Sequence, residues 1–126
     1  MRILILDDDA ARHTTFSSLY KGHEIAHVYR FKEFVSCLEH SPQWDLVHLD
    51  HDLGDSSAAD TYIDGFGSPQ SYNGFHAMLK LCELPIDSRP RQVIIHSVNP
   101  AGAQAMLKYS HSLGINTTWK PFSVSK

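Results

Sequence analysis

Five short apolar runs, separated by four segments that read as helices, constrain this chain more than any other feature. Ile3 to Leu6, Glu24 to Tyr29, Asp45 to Asp50, Arg91 to Ser97 and Ile115 to Trp119 are too short for buried helices and read as strands. Between them, Phe31, Phe34, Val35 and Leu38 recur at helical spacing, as do Phe75, Met78, Leu79 and Cys82, and Ala103, Met106, Leu107 and Ser110. Asp9 is a cap for a helix from Ala10 to Tyr20 that Gly22 stops; Asn99-Pro100 opens the last helix and Gly114 stops it. Ser41-Pro42 and Pro85 with Pro90 close the other two. Strands alternating with helices predict an α/β fold with a parallel sheet and right-handed crossovers. The 126 residues suit a single domain, 1–126, with one polar, glycine-rich loop at 53–73 long enough to be functional.

In open parallel sheets ligands bind beyond the carboxyl ends of the strands. Here those ends carry Asp7-Asp8-Asp9, Asp50 with Asp52, Ser97, and Lys120-Pro121. Taken singly, each is ordinary turn or cap chemistry. Together they make a rim of carboxylates with one ammonium and one hydroxyl. Magnesium takes a few carboxylate oxygens plus water, which Asp7, Asp8, Asp50 and Asp52 can supply, and the ion relieves their mutual repulsion. Ser97 and Lys120 can hold phosphoryl oxygens while Asp50 acts as nucleophile or metal ligand. His51 and His96 flank the site and suit proton transfer or metal ligation. The other histidines among the nine, His13, His23, His27, His40, His76 and His111, are expected on the surface or on helix faces; His48, within a strand, packs internally.

The strings Ile3-Leu4-Ile5-Leu6-Asp7-Asp8-Asp9, Leu46-Val47-His48-Leu49-Asp50, Val93-Ile94-Ile95-His96-Ser97 and Trp119-Lys120-Pro121-Phe122 resemble the four signature strands of response-regulator receiver domains. That resemblance implies a three-layer flavodoxin-like fold with sheet order 2-1-3-4-5. It implies magnesium on Asp7 and Asp8, a phosphoacceptor at Asp50, a switch hydroxyl at Ser97, a phosphate-sensing Lys120 and a cis bond before Pro121. The usual fifth helix of receivers is missing, which leaves one sheet face less covered; the 53–73 segment or a second subunit must cover it, and a homodimer is preferred. Leu49-Asp50-His51-Asp52-Leu53 and His96-Ser97-Val98-Asn99-Pro100 are more similar to the divergent group of cyclic-phosphate processing receivers.

Three functions follow as expectations. The first is a stand-alone, magnesium-dependent phosphoesterase or cyclic-phosphate hydrolase whose ligand is a phosphorylated small molecule, a nucleotide or an RNA end. The second is a single-domain receiver phosphorylated on Asp50 by a histidine kinase, and the third a noncatalytic interaction module. A net charge of −3 argues against broad binding to duplex DNA. The N-terminal apolar run is too short for a signal peptide or membrane span, and Cys37 and Cys82 fit reduced core thiols of a cytoplasmic protein. His51-Asp52 follows a strand, unlike the pair in all-helical metal phosphohydrolases; His13-Thr14-Thr15 has no second copy, as a two-histidine phosphoesterase would need. There is no phosphate-loop or dinucleotide fingerprint and no zinc spacing.

Overall fold

The computed structural model describes residues 1–40, 43–53 and 61–122. Strands β1 (Arg2–Leu6), β2 (Glu24–Val28), β3 (Leu46–Leu49), β6 (Gln92–Ile95) and β7 (Thr117–Trp119) form one parallel sheet in the order β2-β1-β3-β6-β7. This is the expected order once a small hairpin, β4 (Thr61–Ile63) with β5 (Pro69–Ser71), is numbered in. Helices α1 (Ala10–Leu19), α2 (Phe31–His40), α3 (Gly74–Glu83) and α4 (Pro100–Ser112) connect the strands, with a 3-10 turn at Ile86–Ser88. The strands are a residue or two shorter than the apolar runs at several ends. The expected stop of α2 at Ser41-Pro42 lies outside the described residues.

Strand alternation divides the sheet's two faces. Leu4, Leu6, Val47, Leu49, Val93 and Ile95 point into the larger core, beneath α2, α3 and α4. Ile3, Ile5, Leu46 and Ile94 point the other way, where Phe16 of α1 covers them in a smaller cluster. Among the described residues α1 is the only helix on that second face, and no helix follows β7. The second face also takes His48, which is buried as expected.

The 53–73 segment corrects one expectation. Its described part holds the antiparallel hairpin, closed by Asp64, whose Oδ1 accepts from the amides of Phe66 and Ser68, with Gly67 at φ +80°. Tyr72 stacks on Phe31 at 4.2 Å between ring centroids, and Tyr62 packs on Tyr72 and His76. Those contacts tether the hairpin to α2 and α3, so its described residues leave the α1 face uncovered. The Lys120–Pro121 bond is also corrected: it is trans, and no described peptide bond is cis.

Candidate functional site

Register builds the site. Leu6 pairs with Leu49 and Leu49 with Ile95, so the residues one step further, Asp7, Asp50 and His96, form a row along the carboxyl rim. Their amides continue the ladder: Asp7 donates to Val28, Asp50 to Leu6 and His96 to Leu49. All three residues are at most 6% exposed. One donor atom from each lies within 4.8 Å of the other two, a spacing that a single cation can bridge.

A cationic side chain already reaches this cluster. Arg12, in the first turn of α1, sends Nε to Asp7 Oδ2 at 2.6 Å and Nη2 to Asp7 Oδ1 at 2.9 Å. The same Nη2 reaches Asp50 Oδ2 at 3.4 Å and Asp8 Oδ1 at 3.6 Å. His96 Nε2–H donates to Asp7 Oδ2 at 2.7 Å, and the Asp9 amide donates to Asp7 Oδ1 at 2.8 Å. Burial alone would raise the Asp7 pKa, but the bonds from His96 and Arg12 overcome it and hold the carboxyl far below its usual range. Asp50 goes the other way. Burial and the neighbouring Asp7 charge outweigh Arg12 and push it up to about 7. Asp8 is raised by burial and by Asp7.

Behind the row, His13 corrects the surface assignment: it is 3% exposed and faces the strand end. Its Nε2–H donates to the Asp7 carbonyl at 2.8 Å, so its neutral Nδ1 accepts from His27 Nδ1–H at 2.6 Å, and His27 Nε2 then accepts from the Ser17 hydroxyl at 3.0 Å. This relay fixes the backbone that presents Asp7.

In front, a cavity of about 280 Å³ opens onto Asp8, Arg12, Asp50, Asp52, His96 and Ser97. Ser97 is 2% exposed, and its Oγ accepts from the Asn99 amide at 3.0 Å. The His51 amide donates to Asp50 Oδ1, its ring Nδ1 lies 2.9 Å from Asp52 Oδ1, and Asn99 Nδ2 donates to Asp52 Oδ2 at 3.3 Å. Two glycines let these elements meet. A Cβ on Gly74 would lie 1.9 Å from the Asp50 carbonyl oxygen, and one on Gly102 would lie 2.5 Å from the His51 ring. The start of α3 therefore sits directly on the Asp50–His51 backbone, with the Gly74 amide donating to the His51 carbonyl at 2.8 Å.

Lys120 stands apart. Its amide joins the rim by donating to Ile95, yet its strand is two places from that of Asp50, about 10 Å at ordinary strand spacing. Its exposed side chain makes no ion pair with a described residue and lines a second cavity, next to the first. Of the expected site residues, the structure thus gathers Asp8, Asp50, Asp52, His96 and Ser97 at one cavity, with Asp7 buried against Asp50 and His96 and with His51 on its Asp52 edge. Arg12, Gly74 and Gly102 were not anticipated.

The carboxylates suit a hard divalent ion, and the Arg12 guanidinium already stands in for positive charge among them. Asp7, Asp8 and Asp50 would hold magnesium in exchange for Arg12 contacts.

The cyclic-phosphate processing receiver domain family matches residues 2–112. No curated protein matches the sequence. Among solved structures, the receiver domain of Francisella response regulator 1452 has a TM-score of 0.63 at 18% identity, over 97% of this chain and 85% of that one. The receiver domain of a sensor histidine kinase from Pseudomonas aeruginosa, with magnesium in its active-site cleft, has a TM-score of 0.62 at 17% identity, over 97% and 86%. A Burkholderia pseudomallei response regulator with a phosphorylated aspartic acid, calcium and citrate has a TM-score of 0.60 at 20% identity; 98% of this chain spans 61% of that one.

Proposed function

The chain belongs to the cyclic-phosphate processing receiver family, and from that premise we propose that it uses magnesium to open a cyclic phosphate on a small molecule, a nucleotide or an RNA end. The observation that carries this reading is His96 Nε2 at 2.7 Å from Asp7, inside the same cluster as Asp50. A phosphorelay needs no imidazole beside its carboxylates, whereas hydrolysis has two protons to move.

Opening a cyclic phosphodiester forms one phosphorus–oxygen bond to water and breaks one to a ring oxygen; the water loses a proton and the alkoxide gains one. The magnesium ion, when bound, supplies charge neutralisation at the phosphate. Asp50, deprotonated when magnesium binds beside it, can take the proton that water gives up. His96 or His51 returns a proton to the leaving alkoxide. Ser97 donates to a phosphoryl oxygen, and Arg12, released from Asp7, pairs with another. Lys120, across His96, steadies the departing side of the ester.

Phosphorus NMR of a 2′,3′-cyclic nucleotide incubated with protein and magnesium tests the reading; ring-opened monoester should accumulate and stop in His96→Gln. An unchanged spectrum with wild-type protein overturns it for nucleotide and RNA-end substrates.

The phosphorelay reading has its own support, since Asp50 and Ser97 line one cavity. Acetyl phosphate with magnesium should then add one phosphoryl mass, absent in Asp50→Asn. Exclusive labelling without ring opening would make this the function.

A further inference from the structure

A second cavity, of about 370 Å³, lies on the α1 face and shares His96 and Phe122 with the first. That volume falls in the range of small-molecule sites, roughly 300–1,000 Å³. Phe16 forms its inner wall, edge-on to Phe122 at 5.5 Å and to His96 at 5.0 Å. His48 and Tyr20 share a hydrogen bond of 2.5 Å at its base, and Lys120 stands at its rim.

The chemistry of the walls decides what belongs there. Were this face built to receive another helix, its strands would present apolar side chains. Instead the α1-facing positions include His48, His96, Thr118 and Lys120. His48 and His96 are 3% and 2% exposed, and the Nδ1 of each has no hydrogen-bond partner among the described residues. A helix docked here would bury the Lys120 ammonium, a costly arrangement. A flat ring carrying hydrogen-bonding groups on its edge suits both the aromatic walls and the polar partners.

We propose that this second cavity is the nucleobase subsite of the phosphate-ester substrate, with the ester's phosphate in the first cavity and the base against Phe16 and Phe122. The inference rests on the phosphate reading above and narrows it from any cyclic phosphate to a nucleoside one. His96, on the wall of both cavities, then sits where phosphate and nucleoside join.

Ring-opened monoesters test the subsite without turnover. Calorimetric titration with magnesium would compare adenosine 3′-monophosphate with glycerol 1-phosphate, on wild-type protein and on Thr15→Trp. Thr15 is exposed on α1 and lines the cavity, so tryptophan fills it without entering the core. Leu19→Trp, 66% exposed in the wild type and on the same wall, serves if the first variant misfolds. The nucleotide should bind wild-type protein at least about fivefold tighter, the low end for one stacked base. The variant should lose that margin and keep its affinity for glycerol phosphate. Equal affinities on wild-type protein overturn the subsite and leave the phosphate site standing. If neither ester binds, the phosphate reading fails and the subsite with it. A wild-type dimer that Thr15→Trp converts to monomer makes the groove a self-association face and also overturns the proposal.

Discussion

Arg12 holds both oxygens of Asp7, at 2.6 and 2.9 Å, and its Nη2 extends to Asp50 at 3.4 Å. This pairing lets two carboxylates stay almost solvent-free at the end of adjacent strands. It also makes the guanidinium a competitor for any divalent ion. Removing one partner of such a pair strands the other's charge. Arg12→Ala should therefore destabilise the magnesium-free protein by about 3 kcal/mol in urea denaturation. Added magnesium should recover more stability in the variant than it confers on the wild type. Equal magnesium responses in the two proteins would mean that Arg12 and the ion do not share a site.

Asp50 links stability to pH with an unusual sign. Its pKa is raised from 3.8 to about 7 on folding, so between those values the folded state binds more protons than the unfolded one. Its contribution is fully present below pH 3.8 and disappears as pH climbs through 7. Asp50→Asn should flatten that part of the stability profile and gain relative to wild type above pH 7. Because magnesium must displace the proton, its effect on the melting temperature should be larger at pH 8 than at pH 5.5. A pH-independent magnesium shift would exclude Asp50 as a ligand.

His48 works in the opposite direction. Burial, with His96 and Lys120 nearby, lowers its pKa from 6.5 to about 3. The unfolded chain therefore takes up a proton that the folded chain refuses, and stability falls as pH drops from 6.5 toward 3. His48→Phe should remove this acid-side loss, measured as a shallower decline in melting temperature over that interval. An unaltered decline would place the acid sensitivity elsewhere.

The two close glycines should behave differently. On Gly74 an added Cβ meets backbone, the Asp50 carbonyl oxygen, which cannot move without shifting β3 or α3. Gly74→Ala should cost about 3 kcal/mol, the upper end for overpacking. On Gly102 the obstacle is the His51 ring, which can swing away. Gly102→Ala should cost about 1 kcal/mol or less while changing the His51 imidazole resonances in NMR. Equal losses in the two variants would contradict the distinction between backbone and side-chain obstacles.

Much of this arrangement was legible because strand ends are legible. Asp7, Asp50 and His96 each follow an apolar run directly, and parallel pairing aligns whatever follows such runs. Arg12 was not, since a cation five residues past Asp7 reads as a solvated helix face. A signal existed: Asp9 caps α1, which puts Arg12 in its first turn, where side chains lean back toward the rim. A cation there opposes the helix dipole, so it asks for a carboxylate partner. His13 was misjudged for the same reason, one residue on. Gly74 and Gly102 carry no periodic signature, because close approach between distant segments is a property of packing. Lys120 was legible as a rim residue, and the expected sheet order already put one strand between it and Asp50; which cavity its side chain lines depends on packing.

Asp7, Asp50 and His96 follow three neighbouring strands at the middle of the sheet, separated in sequence by α1, β2, α2, the hairpin and α3. No fragment holding fewer than these three strands can assemble the acid cluster. The centre therefore exists only once these three strands have paired. A ligand gripping it recognises finished molecules alone, and its occupancy doubles as an assay of successful folding.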